Sequence, residues 1–179
     1  MLPLSACTSS PAEPSPASSM NQTGIAELDE IILVVMEGDT TGLRLLIRYT
    51  QTTCTFAEGL GGPPKCLEDE QEGTPVEVLP FLGPEGHFIR KADIDNWTGV
   101  EVSELYAVYQ VSEAVYSDEN YPKGEYALVF ITDPEKQSSI TLQVRQGRIV
   151  HIDNGYGYPP EIPAENVVMY LISPGNTVT

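Results

Sequence analysis

Ile140-Thr141-Leu142-Gln143-Val144-Arg145-Gln146-Gly147-Arg148-Ile149-Val150-His151-Ile152-Asp153 reads as a β-hairpin. Ile140, Leu142 and Val144 alternate with Thr141, Gln143 and Arg145, the period of two of a strand with one face on a core. Gln146-Gly147 is the tight turn, because glycine supplies the positive φ that two-residue hairpin turns need. Beyond it, Arg148, Val150 and Ile152 alternate with Ile149, His151 and Asp153. Upstream, Glu125 to Thr132 and Leu105 to Tyr116 are further β-branched and aromatic runs between turn formers, which predicts strands. In the first, Tyr126, Leu128 and Phe130 form one face and Ala127, Val129 and Ile131 the other. In the second, Leu105, Ala107, Tyr109 and Val111 alternate with Tyr106, Val108, Gln110 and Ser112, and neither face is strongly polar. Val167 to Ile172 is apolar without alternation, the pattern of a buried last strand. Val76 to Phe81 reads as a short strand that Pro80 confines to an edge.

Before the sheet the period changes. Ile25, Leu28, Ile31, Ile32, Val35 and Met36 recur at helical spacing, although Ile31 to Val35 also has strand composition. Gly38 stops the helix, and Asp39 or Thr40 caps a shorter one that turns Leu43, Leu46 and Ile47 inward. The expected fold is therefore α+β: an N-terminal helical pair on a curved antiparallel sheet, with a loop insertion between Tyr49 and Thr98.

That insertion holds Cys54 and Cys66 around a loop with three glycines and two prolines. A disulfide there closes a floppy loop, with a gain on the order of 3 kcal/mol from chain entropy. Such a bond persists in oxidising compartments. The other reading, free thiols, has no activating base nearby, since both histidines are distant along the chain. Zinc is not expected, because two Cys and two remote His lack ligand spacing. Asp93 to Glu104 has the length of a calcium loop, but Trp97 and Thr98 stand where an oxygen ligand and a glycine are needed. No metal and no cofactor are expected.

Leu4-Ser5-Ala6-Cys7 resembles the lipobox of bacterial lipoproteins, in which cleavage leaves the Cys lipidated as the mature N-terminus. The Ser, Pro and Ala-rich stretch from Thr8 to Thr23 cannot bury enough apolar surface to fold and suits a tether. Residues 1–23 thus form an anchor and tether, and 24–179 a single domain. Only Met1-Leu2-Pro3 precedes the box, so the lipoprotein reading expects a start further upstream; the alternative is an unfolded cytosolic tail.

The ordered elements resemble the nuclear-transport-factor-two-like superfamily, the SnoaL-type cone. Glu30 to Ile47, joined at Gly38-Asp39, is similar to its opening helices, and Val144 to Ile152, with Gly147-Arg148-Ile149-Val150, to its late hairpin. The resemblance implies a cone-like sheet around a long helix with a pocket at its open end. It also implies either a binding module or a small-molecule isomerase or hydrolase-like enzyme, and allows a homodimer.

The net charge of −17 opposes nucleic acid and anionic lipid, both of which call for clustered Lys and Arg. It leaves an unknown small molecule or an envelope protein as partner, with membrane attachment only through Cys7. No nucleophile elbow, phosphate loop or dinucleotide fingerprint is present. His151 and Asp153, two apart on one strand, are the candidate catalytic pair, with Tyr109 as a donor to developing charge. A half-buried structural histidine is the plainer role for His151. Trp97, Tyr156 and Tyr158 are candidate ligand-stacking residues, though tyrosines in a Gly-Pro loop also pack over sheet edges.

Overall fold

A computed structural model describes residues 22–59, 62–82, 87–133, 135 and 137–175. Cys7 and the lipobox lie outside them. Helix α1 (Ala26–Met36) buries Leu28, Ile31, Ile32 and Val35, the i, i+3, i+4, i+7 stripe, so the helical reading of Ile31 to Val35 holds. Met36, expected on that stripe, is exposed. Thr23 already belongs to the folded unit: its N–H and hydroxyl both donate to Asp29 Oδ1 at 2.7 Å. Gly38 takes φ 67° at the break. The Asp39 carboxylate accepts from Gly42 N at 3.0 Å and opens α2 (Thr40–Leu45).

Eight strands form one curved, open sheet. They are β1 (Thr50–Thr53), β2 (Pro75–Leu82), β3 (His87–Arg90), β4 (Glu104–Val111), β5 (Tyr126–Asp133), β6 (Ser138–Arg145), β7 (Arg148–Tyr156) and β8 (Val167–Ile172). The order is β1-β2-β7-β6-β5-β4-β8, with β3 on the other side of β2. The sheet is mixed rather than purely antiparallel, because β2 runs parallel to β7 at Phe81 and Leu82. The hairpin from Ile140 to Asp153 forms as expected, with Gln146 and Gly147 at φ 51° and 68°. Among the described residues, no helix is long and apolar enough to cross a membrane.

The helices cover one face. There Leu28, Ile31, Leu43 and Leu46 meet Leu128, Phe130, Leu142, Val144, Ile149 and Ile152. The other face carries two smaller apolar patches. Ala107, Tyr109, Val111, Ala127 and Val129 form one of them. Cys54, Val76 and Val78 form the second. The Cys54–Cys66 bond is present. Its segment is tied to the sheet by Arg90, which grips Glu70 at 2.6 and 2.8 Å and also donates to Lys65 O.

Several expectations are corrected. Val167 to Ile172 is an outer strand paired only with β4, and Val168, Met169 and Tyr170 are exposed rather than buried. An apolar run without alternation does not specify whether a neighbour covers it. β2 is not an edge: Pro80 stands where the strand changes partner from β1 to β7, with only Phe88 of β3 opposite, so its missing N–H is tolerated. The strand begun at Leu105 ends at Val111, and Ser112 to Tyr116 is turn and loop. Strict alternation fails twice. A bulge between Leu105 and Ala107 puts Leu105 and Val108 together on the helix side. Another, opposite Gln143 and Val144, puts Ile149 with Ile152 there.

Gly124 shows how closely the strands approach. It is buried, and its N–H donates to Gln143 Oε1 at 3.0 Å. A Cβ there would meet Tyr126 O and Val144 N at 2.6 Å, both of them backbone. Backbone cannot swing aside, so Gly124→Ala is expected to cost about 1–3 kcal/mol as overpacking. A lowered midpoint in urea unfolding checks it, and an unchanged midpoint would refute it.

Candidate outer-face cleft

Between the two outer patches the sheet turns polar. Ser139, Thr141 and Gln143 of β6 project there by the period-two rule, beside His151, Asp153 and Gly155 of β7. After β7 the chain returns over this face through residues 157–166. Gly157 N donates to Gln137 O at 2.7 Å. At the far end Ser112 N donates to Asn166 O at 2.9 Å, and the Ser112 hydroxyl to Glu165 O. Ile162 packs into the Tyr109 patch. This strap leaves a cleft of about 210 Å³ walled by Tyr109, Gln143, Asp153, Tyr156, Glu161 and Ile162.

The polar floor is built. Among the described residues, Ser139, Gln143 and His151 are the buried polar ones. Gln143 spends its carbonyl on Gly124 and turns Nε2 to Asp153 Oδ2, a long contact of 3.4 Å. His151 Nε2 stands 3.1 Å from Asp153 Oδ1, but the alignment makes no hydrogen bond, and among the described residues Nε2 has no hydrogen-bond partner. Its ring lies 6.0 Å from that of Tyr121, which in turn lies 5.2 Å from Phe88. His151 is thus the end of an aromatic row under the disulfide segment, and it does not line the cleft. Asp153 does, with its side chain one-third exposed.

Tyr109 forms the other wall, with its ring edge-on to Tyr170 at 6.0 Å. Burial, then the charge of Asp153, then Tyr170 push its phenol up to about 12. It is therefore neutral across the physiological range. Of the candidate ligand-stacking residues, only Tyr156 reaches the cleft. Tyr158 does not line it, and its hydroxyl lies 3.5 Å from Glu104 Oε1. Trp97 is on the opposite side of the sheet, packed on the helix-side core, with its carbonyl held by Arg44 Nη2 at 2.5 Å.

Among the described residues, the acidic or sulfur groups close enough to share a metal ion are Cys54, Cys66 and Glu70. The two sulfurs are bonded to each other, so neither offers a thiolate. Asp93 and Asp95 sit in a 3₁₀ turn (Lys91–Asn96) rather than a calcium loop.

The resemblance placed a pocket at the open end of a sheet around a long helix. Here α1 has 11 residues and packs on the sheet through apolar side chains; a hollow of about 340 Å³ opens at its C-terminal end, lined by Val35, Gly38, Thr98 and Val102, and the polar cleft is on the other face. The chain matches no family model, no curated protein and no solved structure. Sequence reasoning brought Tyr109, Asp153 and Tyr156 to notice but missed Ser139, Gln143 and Glu161. Alternation in β6 carried a signal for Gln143; nothing local announces that residues 157–166 return across it.

Tyr109 gives a test by pH. Its folded pKa lies above the value near 10 of an unfolded chain, so the native state holds a proton that the unfolded state releases. Its contribution to stability is complete below about pH 10 and is lost as pH rises toward 12. Burial also raises Tyr49, Tyr106 and Tyr121, so absorbance titration of phenolate is expected to show Tyr109 as the last tyrosine to ionise, near 12, a step absent in Tyr109→Phe. The same late tyrosine persisting in that variant would contradict the assignment.

Proposed function

We propose that this chain is an exported, lipid-tethered binding domain that performs no chemistry on its ligand, and that the ligand enters the outer-face cleft. The observation that carries the reading is the cleft itself, where Tyr109, Asp153 and Tyr156 converge under a strap. A concave site with a few convergent polar groups is the usual form of a ligand pocket. The architecture is compatible with a divergent nuclear-transport-factor-two-like domain, in which the segment around Cys54 and Cys66 is an insertion on the sheet. Export is supported by two independent features: the Leu4 to Cys7 box with its Ser/Pro-rich tether, and the disulfide. The proposed location is the bacterial cell envelope, outside the cytoplasm.

A second reading, an isomerase or hydrolase-like enzyme using His151 and Asp153, draws on the 3.1 Å approach of Nε2 to the carboxylate. Burial of His151 beneath Asp153 favours the structural role, since a proton exchanged with a ligand has to pass through Asp153.

Two measurements test the proposal. In the native host, intact mass and a non-reducing peptide map of the protein from the full gene are expected to show a diacylglycerol on Cys7 and a Cys54–Cys66 peptide. Unmodified Cys7 would remove the anchor. A fragment library screened by amide chemical shifts is expected to perturb Gly155 and Tyr109, with Tyr156→Ala weakening the hits several-fold and Tyr158→Ala leaving them unchanged. Hits that avoid the cleft would refute the binding assignment.

A further inference from the structure

We infer that the cleft selects a small organic cation, an ammonium or guanidinium compound, which rests on the binding-domain reading and narrows it. Two carboxylates line the space, Asp153 on the floor and the exposed Glu161 on the strap, and among the described residues no Lys, Arg or His lines it. Two cations of the same region, among the described residues, are otherwise engaged. Lys123 pairs with Glu113 at 2.8 Å, and Arg145 donates to Lys123 O.

The floor carboxylate is prepared for a donor. Gln143 Nε2 lies 3.4 Å from Asp153 Oδ2 and His151 Nε2 lies 3.1 Å from Oδ1. Asp153 lines the cleft with its side chain one-third exposed, and a carboxylate has lone pairs to spare for a charge-assisted hydrogen bond to N–H⁺. Gln143 Oε1 already accepts from Gly124 N–H, which leaves it one of its two lone pairs. Tyr109, which is neutral, and Tyr156 both line the cleft. Aromatic faces and a carboxylate together are the recognition chemistry of ammonium groups. An anion entering here meets two like charges within a chain of net charge −17.

A metal ion is the poorer occupant, because the cleft does not gather three acidic, His or Cys ligand atoms among the described residues. The volume sets the size: about 210 Å³ lies below the roughly 300–1,000 Å³ of drug-sized pockets. The occupant is therefore a fragment-sized molecule bearing one cationic group.

The test uses the folded protein labelled with ¹⁵N, at about 0.15 M salt so that exposed charges are screened. 4-Aminobutan-1-ol, choline and methylguanidinium, each with one cationic group, are titrated beside butane-1,4-diol, glucose and succinate. Saturable shifts of Gly155, Tyr109 and Glu161 with at least one cation are expected, with none for the diol or succinate. Asp153→Asn is expected to weaken that cation at least tenfold. Because Asp153 also contacts Gln143 and His151, Glu161→Gln serves as the variant whose exposed side chain leaves the fold alone, with a several-fold loss expected. Equal shifts with glucose or the diol would overturn the cation assignment while leaving a binding cleft. Cation shifts scattered over the acidic surface and insensitive to both variants would overturn it as non-specific attraction. If these six probes and the fragment library all leave the cleft unmoved, the binding reading falls with it.

Discussion

Strands β4 and β5 carry apolar side chains on both faces, so water has to be kept from both. Leu128 and Phe130 face the helices; Ala127 and Val129 face away from them. Fully burying an aliphatic side chain is worth about 1.5–3 kcal/mol, so a bare face on these central strands would cost more than a small domain can spare. The helices supply one cover. The disulfide segment and the strap of residues 157–166 supply the other, each over its own patch. The cleft lies where these two outer covers fail to meet, above β6 and β7.

That origin explains why polar groups are concentrated there. The side chains of β6 and β7 on the outer face are neither deep enough to be apolar nor open enough to be left to solvent. Gln143 resolves its burial with Gly124 and Asp153. His151 resolves it only in part, resting against Tyr121 with Nε2 beside Asp153 and no aligned partner. A buried nitrogen without a hydrogen bond costs free energy, and its persistence is explained by the packing of the Phe88–Tyr121–His151 row. Asp153 is the point where this structural layer reaches the cleft.

The pattern of residues was a good guide wherever local geometry was regular. Helix α1, the break at Gly38-Asp39, the turn at Gln146-Gly147 and the faces of β5 and β6 followed from spacing alone. It misled at the bulges. One extra residue reverses every side chain beyond it, so Leu105 joined Val108 rather than Ala107, and Ile149 joined Ile152 rather than His151. Bulges leave no reliable mark in composition. The exposed Val168, Met169 and Tyr170 misled for a related reason, since hydrophobicity records what a strand tolerates and not which neighbour arrives.

Period, turn chemistry and cysteine spacing were therefore sufficient for the class of fold, the helical entry, the hairpin and the disulfide. They placed His151 and Asp153 on one face because residues two apart on a strand always share one. The candidate site itself needed the assembled sheet. Tyr109, Gln143, Asp153 and Glu161 come from three strands and a returning strap, and contacts that long-range depend on strand order and register. The parallel pairing of β2 with β7, which sets where the outer covers part, joins segments some 70 residues apart by two register partners. No local preference encodes such a contact; it forms because both faces of the sheet have to be buried at once.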